Sequence, residues 1–77
     1  MRADTCGLTE TELNVRSGPT VNHTIIYRYK KGVRVCGDPV KGGAYSACGA
    51  ISAIWLAQAG GEKGYVAAAC VSGKIPS

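Results

Sequence analysis

Among the 77 residues, the side chains able to do covalent or acid–base chemistry are four cysteines, one histidine and five acids. Their spacing decides what each could do. Cys6, Cys36, Cys48 and Cys70 are widely separated, and none stands in the Cys-x-x-Cys pair that tetrahedral zinc ordinarily uses. An even set of this kind points instead to two disulfides and an oxidising compartment, and four cysteines allow three pairings. Glu10 and Glu12 would share one face of a strand, because side chains two apart point the same way. Two carboxylates on one face could act together as acid and base, but the stretch around them is polar, and a solvated strand face is the reading adopted. A Cys–His nucleophile would need a reduced thiol beside His23, which the disulfide reading removes. Glu62 and Lys63 fall in a turn, where their ordinary role is solubility. The residues therefore show no catalytic set, no metal-ligand set and no cofactor motif, and the expectation is a non-enzymatic protein that binds.

A chain this short makes one domain, spanning 1–77, and a core of its size supplies only about 3–5 kcal/mol. Each disulfide could add about 2–4 kcal/mol, comparable to the core itself. Eleven glycines and three prolines break the sequence at short intervals, the punctuation of a small all-β barrel or sandwich. Leu13 and Val15 alternate with Asn14 and Arg16, predicting a strand with one buried face that Ser17-Gly18-Pro19 ends by turn chemistry. Ile25 to Tyr29 is β-branched and aromatic, and Lys30-Lys31-Gly32 closes it; Val33 to Cys36 alternates again. Gly37 to about Ser52 reads as an irregular, glycine-rich stretch. Ala50 to Ala59 is helix-prone in composition but reads as a strand from its context, since Gly60 to Gly64 forms a turn and Tyr65-Val66 follows. Ala67 to Ala69 suits one turn of 3₁₀ helix before a short strand at Cys70-Val71. The ordered core is expected over about 6–72, between a frayed N-terminus and a polar, frayed tail from Gly73.

The net charge of +4 would suit an anionic partner, but the basic residues are scattered and only Arg28, Lys30, Lys31 and Arg34 cluster. Nucleic-acid binding is disfavoured because cysteines of this kind belong outside the cytoplasm. No apolar stretch is long enough to span a bilayer. Met1 to Asp4 is too short and polar to be a secretory signal, so secretion would mean that a leader had been removed. Asn22-His23-Thr24 is a glycosylation sequon on a predicted loop.

Three runs taken together, LNVRSGP (13–19), IIYRYKKGVRV (25–35) and WLAQAGGEKGYVAAACVS (55–72), resemble the bacterial-type SH3 domain. That family's pattern is a strand with N-V-R-S-G-P, a strand ending in K-x-G, a Trp strand, and G-Y-V before a short 3₁₀ turn. The resemblance implies a small SH3-like β-barrel of five to six short strands with one 3₁₀ turn, stapled by two disulfides. It implies an accessory module, secreted and wall-associated, that holds a cell-wall polymer: a peptidoglycan peptide or glycan, or a chitin-type oligosaccharide. The module would be monomeric and attached to, or secreted alongside, a wall hydrolase. The alternative is a stand-alone secreted protein–protein interaction domain, an inhibitor or effector.

For the ligand platform the resemblance implies Trp55 and Tyr65, with Tyr45 next because it sits on the irregular stretch. Trp55 is as well suited to the core, since a chain without Phe has few large rings to pack. Tyr27 and Tyr29 share a strand parity, with Tyr29 expected in the core and Tyr27 nearer its edge. Asn14 and Arg16 point away from the core, to reach a ligand or, as favoured here, to brace the following turn. His23 lies where SH3-like folds border their groove, although an exposed, idle histidine is the simpler reading. In such barrels the first and last strands are neighbours, which favours Cys6–Cys70 and leaves Cys36–Cys48 to close the unusual loop.

Overall fold

The computed structural model describes residues 5–76, and its chain is all-β. Seven strands follow one another as β1 (Thr5–Thr9), β2 (Leu13–Arg16), β3 (Ile25–Tyr29), β4 (Arg34–Ala47), β5 (Ala50–Ala57), β6 (Tyr65–Ala67) and β7 (Val71–Pro76). Two short 3₁₀ turns interrupt them, η1 (Gln58–Gly61) before β6 and η2 (Ala68–Cys70) after it. The strands form one antiparallel sheet in the order β3-β2-β6-β5-β4-β1-β7, curled into a half-barrel. No helix among the described residues is long and apolar enough to cross a membrane.

Alternation builds the concave face. Leu13 and Val15 of β2 are buried and stand opposite Tyr29 and Tyr27 of β3. Tyr29 packs against the core, whereas Tyr27, nearer the rim, is 61% exposed. Val35, Tyr45, Trp55, Leu56, Val66, Ala67, Ala68, Cys70 and Val71 complete the buried cluster. Thr9, 2% exposed, ties this sheet to the turn after β3: its hydroxyl donates to the Lys30 carbonyl at 2.7 Å and accepts from the Val33 N–H at 2.9 Å. A buried hydroxyl is tolerated because both its roles are filled.

The stretch from Gly37 to Ser52, expected to be irregular, is most of a long hairpin. β4 runs for 14 residues and pairs with β5 from Asp38↔Ala57 to Ala47↔Ala50, with a bulge between Lys41 and Tyr45. The glycines permit the bulge instead of ending the strand. A Cβ on Gly42 would lie 2.2 Å from the Pro19 carbonyl oxygen, so only glycine lets β4 approach the β2–β3 loop this closely. Gly43 then donates its N–H to that same carbonyl at 2.8 Å. At the tip, Cys48 and Gly49 have φ of 51° and 76°, the paired positive values of a two-residue type I′ turn.

Other expectations shift as well. The region 50–59 is a strand only to Ala57, after which Gln58 opens η1. The 3₁₀ turn after β6 is one residue later than expected, and the chain from Gly73 continues as β7 to Pro76, opposite β1. Glu10 and Glu12 lie in the bend between β1 and β2 and share no strand face. Met1 to Asp4, expected to fray, lie outside the described residues.

The disulfides pair differently from the expectation: Cys6 with Cys36, and Cys48 with Cys70. β1 and β7 are indeed neighbours, but they run antiparallel with Cys6 opposite Ile75 and Thr9 opposite Val71. Cys70 therefore sits beside the far end of β1, where its carbonyl accepts the Glu10 N–H at 2.9 Å. Cys6 stands directly across from Cys36 on β4, on the face away from Val35. Cys36 and Cys48 are separated by nearly the whole of an extended strand, too far to bond to each other.

Candidate functional site

A groove of about 350 Å³ opens between β2, with the bend before it, and the tip of the β4–β5 hairpin. Its floor is the edge of the core: Leu13, Tyr45, Trp55, Ala67 and Cys70. One wall carries Thr11, Glu12, Asn14 and Arg16, with Val21 at the end nearest the β2–β3 loop. The other wall is Ser46, Ala47 and Cys48, so the Cys48–Cys70 disulfide ties that wall to the floor.

The polar ends of the floor aromatics are already engaged. The Trp55 indole N–H donates to the Gly43 carbonyl at 2.9 Å, and the ring is only 2% exposed. The Tyr45 hydroxyl donates to the Ile54 carbonyl at 2.6 Å and accepts the Ala69 N–H at 3.1 Å. The two rings meet edge to face at 5.0 Å between centroids, a favourable aromatic geometry. Trp55 and Tyr45 thus form a fixed floor rather than a free stacking surface. The groove's remaining polar side chains lie on its rim: the exposed Glu12 carboxylate, the Asn14 amide, the Arg16 guanidinium and the Thr11 and Ser46 hydroxyls.

Arg16 acts on the loop beside the groove. Its Nη1 donates to the carbonyls of Val21 and His23, each at 3.0 Å, and so holds the segment that carries Val21. Asn14 accepts the Arg28 Nε–H at 3.0 Å across the β2–β3 pair. Both therefore brace their surroundings while lining the groove.

Of the seven residues expected at a ligand site, Trp55, Tyr45, Asn14 and Arg16 come together here. Tyr65, Tyr27 and His23 do not. Tyr65 pairs with Arg16 across β2 and β6 and covers Gly61, where an added Cβ would meet its hydroxyl. Tyr27 packs edge to face on Tyr29 at 5.2 Å. His23 is exposed, with Nδ1 at 2.8 Å from the Thr20 hydroxyl. Sequence reasoning missed Thr11, Glu12, Val21, Ser46, Ala47, Ala67 and the wall role of Cys48; Glu12 read as a solvated strand face, small residues give no local signal, and only the fold brings these positions to one place.

Every cysteine is disulfide-bonded, so no thiol is available as a nucleophile. Among the described residues no group of three or more His, Cys, Asp or Glu side chains is placed to hold a metal ion. The arrangement can bind an extended or flat group on an apolar floor and engage it from a polar rim. Comparison with protein-family models, curated proteins and solved structures finds no match to this chain.

Proposed function

We propose that the chain is a non-catalytic binding module with an SH3-like barrel, secreted into an oxidising environment, whose groove holds a cell-wall polymer. The polymer is a peptidoglycan peptide or glycan, or a chitin-type oligosaccharide, and an attached or co-secreted wall hydrolase is the natural beneficiary. The observation that carries this reading is the groove itself, an open cleft with an apolar floor and a rim of Glu12, Asn14 and Arg16. The two disulfides support an extracellular or otherwise oxidising setting.

The test is retention on insoluble peptidoglycan and on chitin at physiological salt. Retention on either is expected, and Ser46→Trp, at an exposed position on the groove wall, is expected to lower affinity at least about tenfold, or about 1.4 kcal/mol. No retention on either polymer sinks the proposal. A second reading, a stand-alone secreted protein-interaction domain acting as inhibitor or effector, rests on a different feature: Ile25, Ile26 and Tyr27 are all exposed on the edge strand β3. That reading expects no polymer retention, and a partner whose binding is lost on Tyr27→Ser.

A further inference from the structure

The loop between β2 and β3 presents Asn22-His23-Thr24, an Asn-x-Thr sequence whose middle residue is not proline. All three residues are exposed. The loop is held without the two side chains that define the sequence. Arg16 holds the carbonyls of Val21 and His23. The Thr20 hydroxyl accepts the Asn22 backbone N–H at 3.2 Å and meets the His23 ring, while the Ser17 N–H donates to the Thr24 carbonyl at 2.9 Å. Among the described residues, neither the Asn22 amide nor the Thr24 hydroxyl takes part in a hydrogen bond. A large substituent on Asn22 Nδ2 therefore displaces no contact that shapes the loop. The disulfides point to the same kind of compartment in which such a substituent is added.

We propose that Asn22 is an N-glycan acceptor when this chain passes through a eukaryotic secretory route. The donor class is a polyprenyl-pyrophosphate-linked oligosaccharide. The bond from sugar C1 to the pyrophosphate oxygen breaks and a C1–Nδ2 bond forms. The amide gives one proton to a base of the transferase, polyprenyl pyrophosphate leaves, and nothing is oxidised or reduced. Because Val21 lines one end of the groove, the glycan stands beside that entrance.

The chain, secreted from eukaryotic cells behind a cleavable leader, is examined by intact mass and gel mobility before and after a peptide N-glycosidase, which removes the sugar and leaves an aspartate. A heavier form that collapses on treatment is expected. Asn22→Gln and Thr24→Ala are expected to abolish the mass shift, and Thr24→Ser to retain it. Secreted protein with both disulfides formed and Asn22 unmodified overturns the proposal, as does a heavier form that survives Asn22→Gln. Equal urea midpoints for Asn22→Gln and the enzyme-treated parent show that the variant reports on modification and not on folding.

Discussion

The hydroxyl of Tyr45 joins two elements through one oxygen, since the Ile54 carbonyl belongs to β5 and the Ala69 N–H to the turn that carries Cys70. Tyr45→Phe keeps the ring against Trp55 and removes only that oxygen, so the half-buried Ala69 N–H and the Ile54 carbonyl both lose this partner. Two part-buried hydrogen bonds are lost together, so the variant is expected to lose about 1–2 kcal/mol, read as a lower urea midpoint at unchanged slope. Burial of Tyr45 could not be read from its neighbours, because the glycines around it pointed to a loop. Arg16 was more legible: its parity against Leu13 and Val15 put it off the core face, and the loop that follows Ser17-Gly18-Pro19 gave it the Val21 and His23 carbonyls to hold.

Among the elements, the two strands with plain alternation or β-branched composition, β2 and β3, have the bounds that the sequence suggests. β4 is the opposite case. Gly42 and Gly43 read locally as punctuation, yet here they mark the bulge where β4 meets the Pro19 loop, a relation set by residues distant in sequence. Gly42→Ala tests this at the element scale. Its methyl group would press on backbone oxygen rather than on a yielding side chain, so a loss of about 1–3 kcal/mol is expected, again by urea denaturation. The disulfide pairing was illegible for a related reason: neighbourhood of β1 and β7 follows from the fold, but their register does not follow from either strand alone.

For the whole molecule, the disulfides close loops with sequence separations of 30 and 22 residues. Chain entropy makes each worth about 3.5 kcal/mol, so a core this small depends on both. Peptide mapping without reductant is expected to recover Cys6 linked to Cys36 and Cys48 linked to Cys70; a Cys6–Cys70 peptide would contradict the register described for β1 and β7.

The two covalent loops are consecutive and do not interlock, which leaves the part of β4 between Cys36 and Cys48 as the only stretch joining them through main chain alone. Cleaving the backbone inside either loop releases no piece. Cleaving it between the loops yields two fragments, each closed by its own crosslink, that hold together only through non-covalent contacts, strand pairing and the shared core among them. The molecule is thus a natural candidate for division into two complementing peptides, cut in the middle of its longest strand.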